Sequence, residues 1–249
     1  MEDAMLLSFT TLNIVISSFL IVAVAVYAVR SSLIAAGWGA ERVSRAVVLV
    51  STLLGGWLAA ALILTSQGAY TATATGLPTI QYGIFLPIIA GVALYWSSAF
   101  VREIIAAVPQ SWLIGIQFYR ALGVNFLLLY SAAQLPGLFA LPAGIGDIIV
   151  GVTALAIVWT YRNGTPPDRL VRRWNAFGIA DLAVAVGTGF MTSPSALQVA
   201  AFDAPNQMIT EFPLALVPAF AVPLAILLHL ASLAKTKSAR CACTRVSHA

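Results

Sequence analysis

The chain has 249 residues, of which 60% are hydrophobic and only 9% charged, with a net charge of +4. Its mean hydropathy is +0.93, which excludes a water-soluble domain and predicts a chain that crosses a bilayer several times. The bases are dispersed among loops rather than gathered on one face, which argues against nucleic-acid binding and for contact with anionic lipid headgroups.

A helix needs about 20 apolar residues to cross the hydrocarbon core. By that measure the sequence predicts an all-α integral membrane protein, a bundle of seven transmembrane helices over 6–29, 46–65, 81–101, 112–134, 144–161, 174–192 and 213–234. Residues 235–249 follow as a basic tail, predicted to be cytoplasmic and disordered. Of the 13 Lys and Arg residues, only Arg120 falls inside a span. The others occupy alternate gaps: Arg30, Arg42 and Arg45; Arg102; Arg162, Arg169, Arg172 and Arg173; then Lys235, Lys237, Arg240 and Arg245. Cytoplasmic loops retain Lys and Arg, so the amino terminus is predicted outside and the carboxyl terminus inside, in a cell (inner) membrane. Glu2 and Asp3 open the chain where a secretory leader carries bases, so span one reads as an uncleaved helix.

In chain order, span one carries a polar stripe of Thr10, Asn13 and Ser17. Residues 66–80 read as an outer loop, and Arg102 with Glu103 marks the inner boundary of span three. Span four holds Gln117 and Arg120 on one face, with Asn125 rotated away toward a different neighbour. Residues 135–143, LPGLFALPA, contain Pro136, Gly137 and Pro142 and are expected to interrupt spans four and five at the outer interface or as a re-entrant loop. Such a loop must pack on protein, because irregular backbone is not tolerated in contact with lipid. On span five Gly144, Asp147, Gly151 and Ala154 share a face; on span six Gly178, Asp181, Ala185 and Thr188 do the same, with Asn175 one turn below. Small residues beside a carboxylate let another helix approach, so both faces should point into the bundle. The two spans echo each other, GIGDIIVGV at 144–152 against GIADLAVAV at 178–186. Span seven contains Pro218 and Pro223, which predict a kink or local unwinding.

Arg120 is the costly residue. It sits near the bilayer middle, cannot discharge itself by deprotonation, and costs at least ~3 kcal/mol there without a partner. Asp181 lies at a similar depth and is the expected partner. Asp147 is expected nearer the outer face and His229 nearer the inner, giving a ladder of four ionisable groups across the membrane. Gln117, Asn125 and Asn175 are the accompanying candidates for a substrate or ion pathway.

Several chemistries are excluded by what such sites require. No connection is long enough for a soluble catalytic domain, and there is no phosphate-binding GxxxxGK[ST], HExxH or GxSxG motif. Haem held between spans by two histidines needs two in the membrane, and His248 lies in the tail, so no cofactor is expected. Cys241, Cys243 and His248 can bind a soft metal in principle, but reduced or acylated thiols are the plainer reading. A retinal protein needs a lysine in mid helix seven, whereas Lys235 lies at its end; nor is a proline motif duplicated between spans one to three and five to seven, as in transporters built from two three-helix repeats. The leading expectation is a small-solute or ion-coupled transporter whose Arg, Asp and His residues form the pathway. A membrane-embedded enzyme acting on a lipid or other apolar substrate, and a nonenzymatic subunit or assembly factor with a structural polar core, are the alternatives.

Overall fold

The structure is a computed structural model, which describes the backbone of residues 2–246 and the side chains of residues 5–236. The side chains of Glu2, Asp3, Lys237, Arg240, Cys241, Cys243 and Arg245, and the whole of His248, lie outside the described residues, so expectations for them do too; the backbone of 235–246, expected to be a disordered tail, continues helix to Val246.

The helices are α1 (Glu2–Ala35), α2 (Ala40–Ser66), α3 (Ile80–Ser97), α4 (Ala99–Ala107), α5 (Gln110–Gly115), α6 (Val124–Ser131), α7 (Gly137–Thr160), α8 (Asp168–Thr192) and α9 (Val222–Val246). Between α5 and α6 runs a 3-10 segment, Ile116–Gly123, and a π-helical turn, Val217–Ala221, leads into α9. No strand occurs among the described residues. Seven stretches are long and apolar enough to cross a membrane: Met5–Ala35, Ala40–Ser66, Ile80–Ser97, Gln110–Ser131, Gly137–Thr160, Asp168–Thr192 and Val217–Thr236.

Apolar side chains face outward along these stretches, among them Leu20 on α1, Ile63 on α2, Ile89 on α3, Val152 on α7 and Val184 on α8. Polar side chains such as Gln117, Arg120, Asn175 and His229 are buried inside. This inversion suits a hydrocarbon solvent and marks a multi-pass membrane protein. The bases gather at one end. Arg42 at the start of α2 pairs with Glu103 of α4, and Lys235 donates to the carbonyls of Ala106 at 2.7 Å and Val108 at 2.5 Å. At the opposite end the 67–79 loop is tied to the 193–216 connection: Ala72 N–H donates to Thr210 Oγ1 at 3.1 Å and Ala196 N–H to the Gly76 carbonyl at 3.0 Å. Tyr70 folds inward from that loop, and burial pushes its phenol pKa upward.

The helices α1, α2 and α8 run longer than expected, and three further features differ. Residues 137–143 are not a re-entrant loop or an interruption; they are the first turns of α7. Pro136 sits at the N-cap, where a missing N–H costs nothing, and Pro142 removes only one ladder bond near the helix start. Phe139, Ala140 and Ala143 are buried against the core, which makes the helical form worthwhile. The third span ends at Ser97, because Ser98 turns extended and its Oγ accepts from Val101 N–H at 3.3 Å to cap α4. The fourth span is not continuous α-helix. Its 3-10 segment packs on α7 with glycine on both sides: a β-carbon at Gly151 would overlap the Ala121 backbone, and one at Gly123 would meet Asp147 Cβ. The predicted irregularity of the last span takes the form of the π turn, with Pro218 inside it and Pro223 immediately after.

Candidate functional site

The 3-10 segment places Gln117 and Arg120 one turn apart on the same side, facing the bundle interior. Gln117 Nε2 donates to the Ala225 carbonyl at 3.0 Å, fixing this segment against α9. Arg120 is 3% exposed, and all three guanidinium nitrogens are engaged. Nε donates to Asp147 Oδ1 at 2.7 Å, Nη2 to Asp181 Oδ2, and Nη1 to the Gly178 carbonyl at 3.3 Å, while Nη1 lies 3.1 Å from His229 Nε2. The expected Arg120–Asp181 contact is therefore present. The ladder is not. It contracts to one cluster around a single guanidinium, with Asp147 and His229 in direct reach of Arg120. The two echoed segments supply the two carboxylates, from α7 and α8.

A guanidinium only donates, so His229 Nε2 accepts, and the ring is the neutral tautomer with its proton on Nδ1. Nδ1 donates to Asn175 Oδ1 at 2.8 Å, and Asn175 Nδ2 donates to Ser232 Oγ at 2.8 Å and to the Val171 carbonyl at 2.8 Å. Gln110 Nε2 reaches the same Ser232 Oγ at 2.5 Å. A continuous hydrogen-bonded line thus runs from Arg120 to Gln110 at the start of α5, near the basic end. Asn175, one turn below Gly178 on α8, is fully buried and holds the histidine. Trp174 packs on the imidazole with ring centroids 5.1 Å apart.

Counting formal charge, +1 from Arg120 against −1 from each of Asp147 and Asp181 leaves the cluster at −1, with His229 neutral. A buried cluster of that sign has room electrostatically for one more positive charge, a proton or a monovalent cation.

Two small cavities meet at Asp147, each offering about 50 Å³ to water. At ~10–15 Å³ per water, each has room for a few molecules. One is bounded by Ser17, Ser18, Tyr119, Arg120 and Asn125, so α1 closes it. Ser17 and Ser18 bond the Ile14 carbonyl of their own helix at 3.0 and 2.7 Å. The other is bounded by Ile80, Phe139, Phe190, Ser193 and Ile209, and leads from Asp147 toward the end opposite the bases. Asn125 does not bond a different helix as expected. Its Nδ2 donates to Leu122 O at 2.9 Å in its own turn, and its buried Oδ1 has no protein partner at the cavity wall. Thr10 is also buried with an unpartnered hydroxyl, and Thr188 bonds Val184 O at 2.9 Å in its own helix.

Glycine makes the cluster possible. A β-carbon at Gly146 would overlap the Asp181 carboxylate, and one at Gly178 would overlap the His229 ring. Gly178 stands in the expected small face, whereas Gly146 lies beside the α7 face marked by Gly144 and Asp147. Sequence reading also missed Ser232, although it falls one turn after His229 on α9, and Gln110, which lies outside the predicted span. The π turn adds two anchors. Tyr119 Oη donates to the Ala221 carbonyl at 2.7 Å, and Trp57 Nε1 of α2 donates to the Ala219 carbonyl at 3.1 Å. Glu103, expected at the inner boundary of span three, pairs with Arg42 and lies apart from the cluster.

Among the described residues no group of three His, Cys, Asp or Glu side chains is arranged to hold a metal ion. Residues 77–235 match the family model described as Domain of unknown function (DUF8737). That region contains Arg120, Asp147, Asp181 and His229 but not α1, which closes one cavity. No curated protein and no solved structure matches the chain.

Proposed function

We propose that this chain, which belongs to the DUF8737 family, is a multi-pass membrane protein that moves a small solute coupled to a proton or monovalent cation. The observation that carries this reading is Asp147: one carboxylate tied to Arg120 and lining two adjoining cavities. A carboxylate so placed takes up a cation when the pathway opens and returns to the guanidinium when it closes, giving two states for the helix pair. The cluster charge of −1 favours a cationic coupling species. The unpartnered Asn125 Oδ1 supplies a neutral acceptor in the same cavity. The π turn, with side chains bonded to its carbonyls, supplies a non-α joint of the kind that transporters place beside their sites. The basic end is assigned to the cytoplasm of a cell membrane, where its bases meet anionic headgroups.

The test is flux in liposomes loaded with a pH-sensitive dye and challenged with a panel of small neutral and zwitterionic solutes under an imposed proton or sodium gradient. Wild type should show solute-dependent cation movement that Asp147→Asn abolishes. Flux no greater than protein-free liposomes across the panel, for protein shown to be folded and inserted, overturns the reading.

A structural role for the cluster is the second reading. It is favoured by the engagement of every guanidinium nitrogen of Arg120, which a lock on helix register requires and a mobile gate does not.

A further inference from the structure

Away from the polar cluster, a cavity of about 670 Å³ opens between α1, α2, α3, α4 and α9 toward the basic end. Its walls are aliphatic, formed by side chains such as Ala28, Leu53, Leu94, Ile104, Leu113 and Leu228. A space of this kind stays dry and offers a polar solute nothing to bond. Its volume falls within the ~300–1,000 Å³ of small-molecule sites.

The rim is charged. Arg102 Nη1 donates to the carbonyls of Tyr95 at 3.1 Å and Trp96 at 2.7 Å, both residues of the cavity wall. Lys235 follows Ala234 of the wall and donates to Ile105 and Val108, also of the wall, at 3.3 and 2.5 Å. Among the described residues neither base has an acidic partner within 4.0 Å, because neighbouring Glu103 is taken by Arg42. Trp96 is 73% exposed at the same edge, where an indole marks headgroup depth. An apolar slot ending at two bases that bond only carbonyls, and at an exposed indole, is complementary to an acyl chain joined to an anionic head.

We propose that this cavity binds an anionic phospholipid, one acyl chain between α1, α3 and α9 and the phosphate against Arg102 and Lys235. The inference rests on the membrane placement given above and not on transport. Bound there, the lipid bridges α4 to α9. Leu113 of α5 also lines the cavity, so the lipid is positioned to set the spacing of α5 and α9.

The test is native mass spectrometry of the full-length protein in detergent, titrated with dioleoyl phosphatidylglycerol, dioleoyl phosphatidylcholine, dihexanoyl phosphatidylglycerol and glycerol 1-phosphate. A retained one-to-one adduct is expected with the long-chain anionic lipid. Retention should weaken about thirtyfold in Arg102→Gln/Lys235→Gln, from about fivefold per base. Because Lys235 also ties α4, Leu53→Trp provides an independent variant: it fills the slot, leaves both bases in place and should abolish the adduct. Equal retention of phosphatidylcholine, equal binding of glycerol 1-phosphate or the short-chain lipid, or an adduct unchanged by Leu53→Trp each overturns the proposal. Release of the protein from cell membranes by alkaline carbonate instead overturns the membrane reading beneath it.

Discussion

Gly146 of α7 lies against the Asp181 carboxylate of α8 so closely that a β-carbon at 146 would overlap Asp181 Oδ1. The same carboxylate is bonded to Arg120 Nη2, so it cannot retreat without surrendering the guanidinium. Gly146→Ala should therefore destabilise the protein by about 1–3 kcal/mol, the usual range for overpacking, despite the better helix propensity of alanine. Gly187, also on α8, has open space where its β-carbon would lie, and Gly187→Ala should be neutral or stabilise by up to about 1 kcal/mol. Thermal unfolding of the two variants in one detergent checks the pair; equal effects would mean that α7 and α8 are further apart than described.

Removing the cation and removing one anion are not equivalent when two carboxylates share one guanidinium. Arg120→Gln leaves two buried carboxylates without a counter-charge and should cost about 3–5 kcal/mol, the range for breaking a buried pair. Asp147→Asn or Asp181→Asn keeps an oxygen acceptor for Arg120 and brings the cluster to formal neutrality, so each should cost less than about 1.5 kcal/mol. In the Arg120→Gln background, Asp181→Asn should recover part of the loss, read as a double-mutant cycle in thermal stability. A loss after Asp181→Asn as large as after Arg120→Gln would show that the charge count is wrong and that a further fixed cation balances the site.

The Arg120–Asp181 pairing was legible because cost and depth left few choices: an arginine in mid span needs an acid, and Asp181 lies level with it. The inclusion of Asp147 was hidden by a boundary. With span five expected to begin at 144, Asp147 appeared close to the outer face; α7 begins at Gly137, which carries Asp147 deeper, to Arg120. The 3-10 segment left no local signal, since Ile116–Gly123 reads as ordinary helix and its form accompanies close packing of Gly123 and Ala121 on α7. His229 was visible as a lone buried imidazole, but its partner Asn175 and the next link, Ser232, depend on how α8 meets α9. The prolines of span seven announced a break, while the side chains that bond its carbonyls came from α2 and the 3-10 segment, at sequence separations no periodicity reports.

One of those bonds makes a direct test of the last span. Pro223 has no N–H, so the Ala219 carbonyl loses its usual donor four residues on, and Trp57 Nε1 takes that place at 3.1 Å. Trp57→Phe keeps the aromatic contact with Phe220, whose ring centroid lies 4.9 Å away, but removes the indole donor from the carbonyl. The change should cost about 0.5–1.5 kcal/mol. With Pro223→Ala a backbone N–H returns to bond the carbonyl, and the same Trp57→Phe change should then cost markedly less. Unfolding temperatures of the four combinations give the coupling energy; a value near zero would mean that Ala219 O does not depend on Trp57.

Arg42, Arg102 and Lys235 come from distant parts of the chain yet sit at one end of the bundle, joined by the Arg42–Glu103 pair and by the Lys235 bonds to α4. Bases are retained on the cytoplasmic side during insertion, so this end should face the cytoplasm and the 67–79 loop the exterior. In a background with Cys241→Ser and Cys243→Ser, Thr73→Cys should react with a membrane-impermeant maleimide added to intact cells. Asn163→Cys, exposed in the turn between α7 and α8, should react only after the cells are opened. The reverse pattern would invert the topology and place the cavity between Asp147 and the 193–216 connection on the cytoplasmic side. Labelling of both positions from outside would remove the membrane barrier between the two ends, and with it any role for Asp147 in coupled movement across a membrane.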